Sequence, residues 1–180
     1  MKVSILTLFF LALSVSLVAQ ETPTKHTLLI TPGVSYNGSG DFLLGSLSGS
    51  YLNRRNSFFS LLTRTMFAYG RRQSFGGYSS TPAFDTNNVI GLEAGLIYTP
   101  FPKHVGWFSL QTGLSAVHSS YSSDHNSNDE GTENSIGYFT GLNFRLINKS
   151  RFESGLNLRF QLQGNGDLIH TLGFYFGVSF

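Results

Sequence analysis

From residue 27 to residue 180 the chain repeats one pattern eight times: apolar side chains at every second position, with small or polar ones between them. Successive side chains of a strand point to opposite faces, whereas a helix repeats every 3.6 residues, so this spacing specifies strands. The clearest segment is 152–163, where Phe152, Ser154, Leu156, Leu158, Phe160 and Leu162 oppose Glu153, Gly155, Asn157, Arg159, Gln161 and Gln163. Segments 57–70, 89–98, 107–119 and 136–146 read the same way, and 27–36, 42–51 and 168–180 do so less regularly. Pro32 falls within the first of these and is an awkward member of any ladder, because it lacks an N–H to donate.

Alternation is common to soluble sandwiches and membrane barrels, and three features separate them. The segments reach the ~9–11 residues that a tilted strand needs to cross a bilayer, beyond the ~5–6 usual in soluble sheets. Charged residues are 12 % of the chain and aromatics 14 %, against ~25 % charged in ordinary soluble domains. The polar faces are Gly, Ser, Asn and Gln with isolated charges, which reads as a polar interior behind an apolar exterior.

The connections supply the third feature, because they alternate in length. Short or moderate turns at 52–56, 99–106 and 147–151 alternate with longer or glycine-rich loops at 37–41, 71–88, 119–135 and 164–167. This is the layout of an outer-membrane barrel, with short turns on the periplasmic side. The expected fold is all-β: an eight-stranded antiparallel up-and-down transmembrane barrel, both termini on the short-turn side. The short turns carry Arg54, Arg55, Lys103, Lys149 and Arg151, and the loops carry Asp41, Asp85, Asp124, Asp129, Glu130, Glu133 and Asp167. Tyr51, Tyr98, Trp107, Phe108, Phe152 and Phe180 fall near one set of strand ends and Tyr36, Tyr69 and Tyr138 near the other, as interfacial girdles do.

The N-terminus reads as a signal peptide: Met1-Lys2, an apolar run from Val3 to Val18, then small and polar residues. Residues 1–20 are expected to be cleaved, after Ala19 or Gln20, leaving 21–180 as the barrel. The chain has no cysteine, which excludes a disulfide framework and a lipid-anchored N-terminal cysteine. A net charge of +2 gives no footprint for nucleic acid.

Five charges, Arg64, Glu93, Arg145, Glu153 and Arg159, fall on the inward face. Eight strands enclose a space that side chains fill, so a paired, hydrogen-bonded network along the lumen is expected in place of a diffusive channel. The arginines outnumber the glutamates, so amides or water complete it. Arg71-Arg72 at an outer strand end suit lipopolysaccharide phosphates. Asp124 to Glu130 has the D-x-N-x-N spacing of calcium loops, but Asp129 replaces the turn glycine and Ser135 the twelfth-position Glu. No cofactor or metal is expected.

The chain ends with Leu172, Phe174, Phe176, Val178 and Phe180 on one face. With this ending the whole mature chain resembles the small eight-stranded outer-membrane barrels of the OmpX and OmpA-transmembrane-domain type. The resemblance implies an outer-membrane location, contact with outer-membrane lipids including lipopolysaccharide, and a terminal signal similar to the one that the outer-membrane assembly machinery reads. That family spans structural proteins, adhesins and lipid A-modifying enzymes, so it implies no single activity. The expected role is structural or surface-interactive, presenting loops 71–88 and 119–135 to a partner that the sequence does not identify, with no catalytic residue. Two alternatives stand beside it. His118 and Ser120, with Glu130 or Glu133 as the acid, resemble the rim site of outer-membrane lipid A deacylases. A small-solute conduit would need an emptier lumen.

Overall fold

The computed structural model describes residues 25–38, 42–55, 57–74, 83–100, 108–124, 130–149 and 151–180. The leader 1–20, Trp107, Lys103, Asp41 and Asp129 lie outside the described residues. Eight strands form: β1 (Lys25–Asn37), β2 (Phe42–Arg54), β3 (Phe59–Ser74), β4 (Ala83–Tyr98), β5 (Phe108–Ser123), β6 (Gly131–Lys149), β7 (Phe152–Gln163) and β8 (Leu168–Ser179). Each pairs antiparallel with its neighbour in sequence, and β8 pairs back with β1, so the sheet closes into an up-and-down barrel. Closure removes both sheet edges, which would otherwise expose unpaired backbone groups.

The outside is apolar on every strand. Leu43, Leu114 and Ile136 are 68 %, 67 % and 74 % exposed, and outward leucine, isoleucine, valine and phenylalanine continue around the ring. Tyr36, Tyr69 and Tyr138 stand exposed toward the long-loop ends, and Tyr51, Tyr98, Phe152 and Phe180 toward the short-turn ends.

Two expectations about the connections are corrected. The β3–β4 ladder continues to Ser74 and Ala83, and β5–β6 pairs as far as Tyr121 and Gly131. Loops 71–88 and 119–135 therefore shrink to 75–82 and 124–130. Outside a bilayer both faces of a hairpin meet water, so the alternation of apolar and polar residues fades while the backbone ladder runs on. Thr86 and Ser122, hydroxyl to hydroxyl at 2.6 Å, join β4 to β5 within such a polar stretch. At the other end β2 extends to Arg54 and β6 to Lys149, so the short turns are tighter than 52–56 and 147–151. The β6–β7 register shifts between Arg145 and Ile147, a bulge that leaves Leu146 and Ile147 both exposed.

The interior is not uniformly polar, as the alternation had suggested. Phe42, Leu44, Met66, Ala68, Val89, Val117 and Ile169 form an apolar cluster toward the long-loop end. Leu29, Leu52, Leu62, Ile97, Phe139 and Tyr175 form a second toward the short-turn end. The charges lie between and beyond these two layers. Inward glycines make room for the large side chains: a Cβ on Gly155 would strike the Phe144 carbonyl and the ring of Tyr175, its cross-strand partner.

The seam between β1 and β8 has an interruption. Paired residues run from Thr27–Ser179 to Ile30–Phe176 and resume at Gly33–Gly173, leaving out Thr31 and Pro32. Pro32 has no N–H to give, and Gly33 lies so close to Leu172 and Gly173 that a Cβ there would collide with their backbone.

Candidate functional site

Midway along the lumen, register places Arg64 directly opposite Glu93 on the neighbouring strand. Arg64 Nη1 donates to Glu93 Oε2 at 2.9 Å, Nη2 to Gln111 Oε1 at 2.7 Å, and Nε to Ser50 Oγ at 2.9 Å. Arg159 approaches the same carboxylate from β7, its Nη1 3.2 Å from Oε1, and its Nη2 donates to Thr171 Oγ1 at 3.1 Å and contacts Met66 Sδ. Gln161 Nε2 donates to Glu93 Oε1 at 2.8 Å. Glu93 thus holds two guanidinium groups and an amide, and all of these side chains are buried.

Arg145 and Glu153 lie apart from this belt, near the short-turn end, 3.2 Å from each other. Arg54, expected in a solvated basic turn, also reaches Glu153, at 2.6 Å. Its register explains this: β2 runs on through residue 54, and the side chain is only partly exposed. Between the two charge groups, Asn157 Nδ2 donates to Asn143 Oδ1 at 2.6 Å.

The pair Arg71-Arg72 does not face lipid together, because consecutive strand residues point to opposite faces. Arg71 lies outside, its guanidinium 3.8 Å from the Phe84 ring centre and 3.9 Å from Asp124. Arg72 turns into the mouth of the barrel, 3.2 Å from Asp85 and 4.6 Å from the centre of the Phe42 ring. Asp85, expected in a loop, is a buried strand residue that also accepts from Ser123 Oγ at 2.7 Å. This mouth is a cavity of about 580 Å³ lined among others by Asn37, Phe42, Arg72, Asn87, Tyr121, Glu133 and Asp167. Sequence reading overlooked it, although Asp85 and Asn87 continue the inward parity of Val89 and Glu93.

At the rim, His118 and Ser120 sit on β5, and Glu133, expected in a loop, is a β6 residue paired with Ser119. The Nδ1 of His118 meets Asn134 Oδ1 across the ladder at 2.8 Å, not Ser120 along the strand. Ser120 lies between Asn88 and Thr132, and Glu133 faces the mouth cavity. His118 and Ser120 thus make no nucleophile–base hydrogen bond, although Glu130 lines a shallow pocket together with Ser120. His170 sits apart from them on β8, edge-on to Phe160 with ring centres 5.1 Å apart. Most of the calcium-like stretch, 125–129, lies outside the described residues, which contain no group of three metal-ligating side chains.

Leu172, Phe176, Val178 and Phe180 are exposed on the outer face of β8, and Phe174 is half-buried against Phe176 with ring centres 5.0 Å apart. Phe180 exchanges backbone hydrogen bonds with His26, at 3.0 and 2.9 Å, and stacks on its ring. His26 in turn stacks on Tyr51 and bonds to its hydroxyl.

No protein-family model and no curated protein matches this sequence. Among solved structures the barrel is similar to Ail, the attachment invasion locus protein of Yersinia pestis, with a TM-score of 0.59 and 16 % identity over 88 % of this chain and 100 % of that one. It is also similar to the outer membrane protein OprG from Pseudomonas aeruginosa, with a TM-score of 0.54 and 10 % identity over 87 % of this chain and 96 % of that one. Neisserial surface protein A gives a TM-score of 0.51 at 14 % identity, over 88 % and 98 %. At these identities the likeness is one of fold.

Proposed function

We propose that the chain is an outer-membrane protein of a Gram-negative-type cell, exported by a leader that is removed near residue 20, with a structural and surface-interaction role. The observation that carries this reading is the inversion of a soluble protein: large apolar side chains exposed on all eight strands around an interior that buries Arg64, Glu93 and Arg159. Soluble monomers rarely expose contiguous apolar patches beyond a few hundred Å², and a hydrocarbon bilayer is the solvent such a surface requires. Lipid and lipopolysaccharide contact the outer wall, and the assembly machinery reads the face Leu172, Phe174, Phe176, Val178 and Phe180. The short turns face the periplasm, and the strand tips around 75–82 and 124–130 face outward toward a partner. A structure of Ail holds sucrose octasulfate, a heparin analogue. The mouth here carries Glu133 and Asp167, which argues against the same polyanion chemistry.

Fractionation tests the location. A short epitope inserted at 75–82 is expected in the carbonate-resistant outer-membrane fraction and to bind antibody on intact cells. Recovery in the soluble fraction overturns the reading. Mass spectrometry of lipid A from cells with and without the protein tests the hydrolase alternative, and identical profiles are expected.

A further inference from the structure

We infer that the lipid-facing wall over β2, β3 and β4 holds one anionic phospholipid of the periplasmic leaflet, with an acyl chain in a hollow of the wall and the headgroup at the β2–β3 turn. The inference rests on the outer-membrane reading and deepens it, because it names the lipid class, the leaflet and the place.

The outward face is not evenly padded. Gly49 pairs with Thr65, and Thr63 with Ala94, so small outward residues meet across three adjacent strands. Exposed Ile30 and Tyr51 flank them on one side, and exposed Leu92 and Leu114 on the other. The result is a hollow of about 730 Å³ in the wall, within the ~300–1,000 Å³ of small-molecule sites. Crowding does not dictate the glycine: a Cβ on Gly49 would meet Thr65 Oγ1 at an ordinary 3.6 Å. The hollow runs from mid-wall toward the short turns, with Tyr51 close to the end of β2 at Arg54 and Thr63 close to the start of β3 at Phe59.

Below the hollow the wall changes chemistry. Outward parity along β2 leads from Gly49 and Tyr51 to Arg55, which is exposed and whose N–H closes the turn on the Phe59 carbonyl at 3.1 Å. Phe58, 46 % exposed, stands in the same turn, as aromatic side chains do at headgroup level. Charge then selects the lipid. Among the described residues at this end the one acidic side chain is Glu153, buried and held by Arg54 and Arg145. Lys25, Arg55, Lys149 and Arg151 add cations there. The long-loop end is the reverse, with Asp85, Asp124, Glu130, Glu133 and Asp167 against Arg71 and Arg72. A basic rim attracts anionic headgroups and an acidic rim repels them, so the anionic lipid belongs to the periplasmic leaflet. A second barrel inserted in the same direction would set Arg55 against another basic rim, which disfavours a copy of this chain as the occupant.

The test uses the mature protein refolded in detergent micelles with equal amounts of phosphatidylglycerol and phosphatidylethanolamine carrying the same acyl chains. Heat-modifiable electrophoretic mobility first reports the folded barrel; a chain that stays unfolded removes the outer-membrane reading itself. On the folded barrel, native mass spectrometry is expected to find one tightly kept lipid, phosphatidylglycerol in preference to phosphatidylethanolamine. Arg55→Gln cuts that preference about fivefold, the effect of one basic residue beside an anionic surface. Arg151→Gln, at the turn across the ring, leaves it in place. The double variant Gly49→Leu, Ala94→Leu fills the hollow with side chains suited to lipid and loses the kept molecule, whereas Thr140→Leu, outward on β6, retains it. A folded barrel overturns the inference if it keeps the two lipids equally, or if the filled variant keeps phosphatidylglycerol as well as the parent does. Equal effects of Arg55→Gln and Arg151→Gln, or barrel dimers in place of bound lipid, overturn it too.

Discussion

Arg159 on β7 reaches across the lumen to Glu93 on β4, ending 3.2 Å from a carboxylate that Arg64 already holds from the adjacent strand. The two arginines come from opposite walls of the barrel, and one glutamate keeps them together. Apolar layers above and below close this belt from bulk water, so its charges depend on one another and on the neighbouring amides.

Removing the shared carboxylate is expected to be severe. Glu93→Gln leaves Arg64 and Arg159 facing each other with no anion, and breaking a buried pair in this way costs about 3–5 kcal/mol. The triple replacement Arg64→Met, Glu93→Leu, Arg159→Met recovers most of that loss, because it removes the charges and keeps the volume. Urea unfolding in detergent micelles, followed by tryptophan fluorescence of Trp107, measures both.

Glycine positions are expected to divide sharply. Gly155→Ala places a methyl against the Phe144 carbonyl and the Tyr175 ring, and overpacking of this kind costs about 1–3 kcal/mol. Gly49→Ala meets Thr65 Oγ1 at an ordinary 3.6 Å and is expected within about 0.5 kcal/mol of the parent. Equal urea midpoints for the two variants would contradict the close approach of β7 to β6 and β8.

Depth dependence tests the bilayer as the surrounding solvent. Leu114→Arg, outward near the middle of β5, is expected to cost about 2–4 kcal/mol of folding free energy in vesicles, and Thr132→Arg near the outer end of β6 about 0–1. In a water-exposed barrel, Leu114→Arg would be neutral or stabilising. Reversible folding titrations into phospholipid vesicles distinguish the two outcomes.

The layered lumen bears on conduction. Two apolar clusters and a buried, ion-paired belt lie in series between the ends. Planar bilayers holding the purified barrel are expected to show no discrete single-channel steps. Reproducible unitary currents would restore the conduit alternative.

The sequence carried the strand count, the closed antiparallel order and the outward face, since all three follow from side-chain alternation and the spacing of the connections. It did not carry the upper parts of β4 and β6. In Asp85-Thr86-Asn87-Asn88 both faces are polar, so the signal faded while pairing continued. The apolar interior layers were written in plain view, with Leu62 and Met66 on the parity of Arg64, but a search for apolar-against-polar contrast passes over such positions. The partnering of charges depends on register and on distance across the lumen, which no single strand encodes. Glu93 therefore gathered Arg64 and Arg159, and Glu153 gathered Arg145 and the unexpected Arg54.

The gap in pairing at Thr31 and Pro32 gives the barrel a direction of failure. Every other junction joins strands that are neighbours along the chain, so a broken ladder there is still tethered by a turn. The junction of first and last strands has no such tether, and its pairing skips Thr31 and Pro32 next to the Gly33–Gly173 pair. Under pulling force or denaturant, the hoop is expected to part first between β1 and β8. His26, stacked on the rings of both Tyr51 and Phe180 and bonded to the Phe180 backbone, is the rivet at the foot of that joint.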